Sequence, residues 1–182
     1  MAEHARAVTS VLLSEWDELS DPPGQRWEII GGELTLTPSA SPDHNRAANR
    51  LWALIDDQLS GDLRVGTDLD WVLTLPGDLP VVVNAPRPDV VVWPAHHDRV
   101  QEPVLAVEVL SGSDRRPRIE AKRFAYAAAG LHSYLEVDLD AGVLRRYVLR
   151  QGRLVEVESG SEVVLSLPGL APLVVTIDEL RR

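Results

Sequence analysis

The chain has 182 residues, 45% of them hydrophobic, a formal net charge of -10 and no cysteine. That length and composition suit one globular domain with a real core; they exclude disulfides, thiolate metal sites and broad electrostatic adhesion to nucleic acid or membrane, which rests on clustered Lys and Arg. No apolar run approaches the roughly 20 residues that span a bilayer, and the opening MAEHARAVTSVLLSEWDELSD mixes charges into its apolar residues, unlike a signal peptide, so a cytoplasmic protein without a membrane partner is expected.

In chain order, Leu12, Leu13, Trp16 and Leu19 recur at helical spacing and predict a short helix ending before Pro22-Pro23-Gly24. Residues 1–24 then form an N-terminal helix and linker, and residues 25–182 the core of a single domain. WEIIGGELTLT reads as a hairpin turning at Gly31-Gly32, a pair suited to the positive φ of a primed turn. Ala48, Leu51, Ile55 and Leu59 mark one stripe of a helix over about 43–59, and His44 lies on that stripe one turn earlier. Val-rich strands follow over 64–75, 80–84, 88–93 and 104–110, with Pro88 opening the third. RPRIEAKRFAYAAAG predicts a second helix, with Pro117 near its first turn and Gly130 as terminator. Its expected packing stripe is Ala121, Phe124, Ala125 and Ala128, which leaves Lys122 at the margin. SYLEVDLD is a strand, VLRRYVLRQGRLVEVES a hairpin around Gln151-Gly152, and EVVLSL and LVVTI finish the sheet. The fold class is α+β (mixed α/β), a curved and mostly antiparallel sheet flanked by helices.

Two of these strands carry a carboxylate among apolar neighbours. In LAVEVL, Glu108 shares a face with Ala106 and Leu110 while Val107 and Val109 point the other way, so both faces are apolar and buried; PDVVVW has the same character around Asp89. An unpaired buried carboxylate is costly. Strands joined by the ten-residue loop 94–103 can pair antiparallel, which brings Asp89 and Glu108 near enough to chelate a hard divalent cation. The plainer reading is that Asp89 caps the proline turn and Glu108 meets an arginine. A third element weighs against it: Lys122, the only lysine among 18 basic residues, follows on the next helix. Asp, Glu and Lys are the set that metal-assisted phosphodiester cleavage needs, the carboxylates holding Mg2+ and the ammonium orienting water or offsetting charge on the phosphate.

Here RPDVVVW...LAVEVLSGSDRRPRIEAKRFAYAAAGLHSYLEVD resembles the Uma-two family of restriction-endonuclease-like proteins, within the PD-(D/E)xK nuclease superfamily. The resemblance implies a restriction-endonuclease-like core and a metal-dependent DNA endonuclease using Mg2+ or Mn2+. It makes Asp89 the PD aspartate, Glu108 the central acid and Lys122 a lysine migrated onto the helix, with Asp89, Glu108 and the Val109 backbone carbonyl as metal ligands. It also offers Glu28, in RWEIIGGEL, and His44 as accessory residues. Without it, Glu28 reads as a solvent-facing strand residue and His44 as a satisfied core histidine. Arg118 stands where the family tends to have an acid, and with Tyr126 it shares the helix face of Lys122, a face either solvated or aimed at the site.

DRRPRIEAKR, residues 114–123, holds five basic residues against two acidic ones, so phosphate contact is expected to centre there. The expected partner is DNA, and an exposed sheet edge makes a homodimer reasonable. The competing reading is a catalytically inactive nuclease-fold module that binds a protein or nucleic acid, favoured by the net acidity and by Arg118. His96-His97 lacks a further ligand at metal spacing, and no Gly-rich phosphate loop or Ser-His-Asp pattern is present.

Overall fold

In the computed structural model, which describes residues 11–110, 116–169 and 171–182, the chain begins with β1 (Val11–Leu12), α1 (Leu13–Glu18), β2 (Gln25–Ile30), β3 (Glu33–Pro38) and α2 (Pro42–Asp56). It continues through β4 (Leu63–Thr67), β5 (Leu73–Leu75), β6 (Val81–Asn84), β7 (Val90–Pro94), β8 (Leu105–Leu110) and α3 (Arg116–Ala128). It ends with β9 (Ser133–Asp138), β10 (Val143–Arg150), β11 (Arg153–Gly160), β12 (Glu162–Leu165), β13 (Leu173–Thr176) and α4 (Ile177–Arg181). Gly31 (φ 60°) and Gly32 (φ 80°) turn the first hairpin, as their freedom from a Cβ allows.

The central sheet has six strands in the order β11-β10-β9-β8-β7-β4, antiparallel except for the parallel pair β8 and β9, which α3 connects. Alternation along its strands gives it two apolar faces. Val90, Val92, Leu105, Val107 and Val109 pack with Leu51 and Ile55 of α2 on one side. Val91, Trp93, Ala106 and Tyr134 pack with Tyr126 of α3 on the other. Sheet and helices thus form the mixed, mostly antiparallel α+β architecture that the sequence predicts.

Several boundaries differ from expectation. The stretch 64–75 is two strands, because Asp68 adopts φ 54° and turns the chain from β4, in the central sheet, to β5, which joins β1 and β6 in a separate sheet. Of the first predicted helix, only Leu13–Glu18 is helical; Val11 and Leu12 pair with Val82 and Val81. The C-terminal strands do not finish the central sheet. β12 and β13 form their own two-stranded sheet, whose Val163, Leu165 and Val175 cover the α2 side of the core. Alternation specifies a face to bury and says nothing about which sheet supplies the partner. Strand β7 opens at Val90 rather than Pro88, which leaves Asp89 at the strand end.

Candidate active site

The last pair between β7 and β8, Val90 with Val107, sets Asp89 and Glu108 at the same end of two neighbouring strands. Both line one cavity of about 190 Å³, together with Arg26, Glu28, His44, Val109, Arg118 and Lys122. Asp89 accepts from the Val109 backbone N–H at 2.7 Å, which fixes its carboxylate at the strand end. His44 Nε2 lies 3.1 Å from the same oxygen, Oδ2, and Arg26 Nη2 lies 3.4 Å from Oδ1. Lys122 Nζ bridges two acids, 2.8 Å from Glu108 Oε2 and 3.0 Å from Glu28 Oε1. The Tyr126 hydroxyl donates to the other oxygen of Glu108. Glu28 is fully buried and accepts further from Arg118 at 2.6 Å, the Arg87 N–H at 3.1 Å and the Thr37 hydroxyl at 3.1 Å.

Three carboxylates therefore face three cations, Arg26, Arg118 and Lys122, in a space largely shut off from water. Burial and the neighbours separate the two acids that share Lys122. Burial pushes Glu28 up, yet Lys122, Arg118 and the Arg87 N–H pull it down to about 2, so it stays ionised. Glu108 goes the other way. Burial raises it, Lys122 offsets part of that rise, and the like charges of Asp89 and Glu28 restore it, to about 7. Lys122 is held above its ordinary value: burial opposes its charge, and Glu108, Glu28 and Asp89 outweigh burial. For His44, burial lowers the pKa but the Asp89 hydrogen bond and charge raise it overall.

The residues singled out in the sequence come together here. Glu28 is not a solvent-facing strand residue; β2 stands off the central sheet and turns this side chain under α3. Arg118 and Tyr126 are aimed inward with Lys122. The helix stripe, however, is rotated from expectation. Lys122, Ala125, Tyr126 and Ala127 are buried, while Ala121 and Ala128 are exposed and Phe124 is 75% exposed. An apolar stripe ranks a lysine outward, but two carboxylates and a tyrosine hydroxyl make the polar face the inner one. Internal acids take up three of the basic residues of segment 114–123: Arg118 and Lys122 are consumed at the cavity, and Arg123 holds Glu136 at 2.5 and 2.6 Å, while Arg116 stays exposed. Residues 114 and 115 lie outside the described residues.

Arg26 was not legible in the sequence. It donates to Asp68 and Asp89, and its buried Nε has no partner among the described residues. The only signal was its place two residues before Glu28 on a strand, which puts both side chains on one face.

Among the described residues no three metal-ligating side chains cluster tightly enough to enclose an ion. Mg2+ is ordinarily held by one or two carboxylates with the rest of its shell water, so the pair Asp89 and Glu108 has the right donor chemistry.

These residues sit on a mixed, mostly antiparallel sheet flanked by helices, and a solved structure shares that fold. A protein from Anabaena variabilis ATCC 29413, described as a putative nuclease belonging to DUF820, is 15% identical and superposes with a TM-score of 0.72 over 93% of this chain and 97% of that one. No curated protein matches the chain. Residues 13–178 match the Uma2 family, described as putative restriction endonuclease, and the chain belongs to that family.

Proposed function

We propose that this protein is a DNA endonuclease that hydrolyses phosphodiester bonds with Mg2+ or Mn2+. The observation that supports this reading is the convergence of Asp89, Glu108 and Lys122 on one cavity in a member of a nuclease family. Asp89, Glu108 and the Val109 carbonyl would hold the cation, which when bound supplies charge neutralisation at the phosphate and acidifies water. Asp89 is oriented by the Val109 N–H and His44. Lys122, a compact ammonium between Glu108 and Glu28, holds Glu108 in place and presents positive charge to a phosphate entering the cavity. Glu28, His44, Arg118 and Tyr126 are accessory: they fix the positions of Lys122, Asp89 and Glu108.

The test is nicking of supercoiled plasmid with Mn2+. Lys122→Arg is expected to be nearly as damaging as Lys122→Ala, since a guanidinium keeps the charge without the compact donor. Each should cost on the order of 3 kcal/mol in the barrier, about a hundredfold in rate. A parent that nicks and variants that keep its rate would remove Lys122 from the chemistry. Asp89→Asn should abolish Mn2+ binding in calorimetry.

One observation favours a second reading, a non-catalytic module that binds nucleic acid or protein. Each of the three cavity carboxylates already has a protein cation. A parent that takes up no Mn2+ and nicks no form of DNA would establish that reading instead.

A further inference from the structure

A second cavity, of about 470 Å³, adjoins the first and shares Ser41 and His44 with it. It lies at the same end of the central sheet: Leu110 closes β8, Leu139 follows β9, and Leu180 and Arg181 come from α4. The catalytic cavity has room for little beyond a phosphate and an ion, whereas the neighbour falls within the roughly 300–1,000 Å³ of small-molecule sites. Its lining is of two kinds, with an apolar floor of Leu110, Leu139 and Leu180 and two guanidiniums, those of Arg46 and Arg181.

We infer that this cavity is a subsite for the nucleotide flanking the scissile phosphate of a DNA strand, its phosphate held between Arg46 and Arg181 and its sugar and base lying over the three leucines. The inference rests on the nuclease reading for what occupies the first cavity, and on its own geometry for the second. Arg181 donates to the Leu139 carbonyl and has no carboxylate partner among the described residues, so its guanidinium is positioned while its charge stays unspent. Arg46 is 53% exposed and pairs at 2.9 Å with Asp43, itself 81% exposed; such a pair is worth little in water, and a phosphate readily replaces its acid. Asp43 and Asp140 also line the cavity, so its charged residues sum to neutrality. In a chain of net charge -10 that is comparatively receptive to a polyanion. Ser41 and His44 line both cavities, so a strand seated at the first has the second as its neighbour.

The experiment is fluorescence anisotropy of a labelled oligothymidylate strand, with Ca2+ replacing Mn2+ so that the strand is not consumed. Arg46→Ala and Arg181→Ala should each weaken binding about fivefold and lower the slope of log affinity against log salt by about 0.7, the single-strand value for one phosphate contact. Arg46 is solvent-exposed, so its variant keeps the test valid even if Arg181→Ala lowers the melting temperature. Affinity within twofold of the parent and an unchanged slope for Arg46→Ala would overturn the subsite. A parent that nicks plasmid while both variants bind like the parent leaves the nuclease reading standing and removes the subsite. Arginine-dependent strand binding by a parent that nicks nothing overturns the nuclease reading and its scissile phosphate, and leaves Arg46 and Arg181 as a strand-binding site alone.

Discussion

At Asp89, the carboxylate proposed above to hold the cation, Arg26 competes with any ion. The guanidinium reaches Asp89 Oδ1 from a buried position, anchored on Asp68, with its Nε unpartnered among the described residues. A divalent cation at Asp89 must displace or repel it. Arg26→Ala is therefore expected to tighten Mn2+ binding about tenfold, ~1.4 kcal/mol, by calorimetry; weaker binding would mark Arg26 as a support for Asp89. Glu108 gives a second residue-level expectation. Its folded pKa of about 7 lies above the ordinary 4.5 of a glutamate, so the folded state binds the proton more tightly than the unfolded one. The contribution of this group is present below the unfolded pKa and is lost as pH rises through about 7. Metal-free Glu108→Gln should then melt above the parent at pH 8, by the order of 1–3 kcal/mol, and lose that advantage towards pH 5. An equal gap at both pH values would assign the effect to packing. Asp89, Glu108 and Lys122 could be read in the sequence because each breaks a local rule: an acid in a Val-rich strand, a lone lysine among arginines. Arg26 breaks none, and its partner Asp89 is 63 residues away, a distance no periodicity can signal.

The phase of α3 shows what local pattern leaves open at the scale of an element. Its apolar residues alone would put Phe124 inside; the pairing of Lys122 and Tyr126 with Glu108 turns Phe124 out. Phe124→Ser should consequently change unfolding free energy by no more than about 0.5 kcal/mol, the range of surface substitutions. Tyr126→Phe removes a donor from a buried carboxylate and should cost about 1–3 kcal/mol in urea melts at pH 8. Comparable losses for both would return the helix to its apolar phase. Elsewhere the elements were legible where a local residue dictates the backbone, as at Gly31-Gly32 and at the Gln151-Gly152 turn, where φ is 49° and 74°. What failed was assignment between sheets. β12 and β13 alternate as strands should, and the choice to pair with each other over α2, instead of extending β11, is made by tertiary burial of Val163, Leu165 and Val175.

At the scale of the whole molecule, charge sets the conditions under which DNA can approach. No helix of the described residues is long and apolar enough to cross a membrane, and the chain carries a net -10. Arg118, Lys122 and Arg123 of α3 are spent on internal acids, so a polyanion approaching the cavity meets the repulsion of a net acidic chain. A divalent cation between Asp89, Glu108 and a phosphate would convert the repulsive element into the attachment point. DNA affinity should therefore depend on the ion itself, beyond what ordinary counterion release provides, and in the opposite sense, since added salt weakens a binding that rests on Lys and Arg. The parent is expected to bind a duplex at least about tenfold more tightly in Ca2+ than in EDTA at matched ionic strength, a gain of ~1.4 kcal/mol. Asp89→Asn should lose that gain and yet bind more tightly than the parent in EDTA, because it removes one negative charge from the cavity. A parent whose affinity is the same in Ca2+ and EDTA would mean that DNA is held without the carboxylates, and a variant that keeps the Ca2+ gain would mean that Asp89 is not where the ion sits.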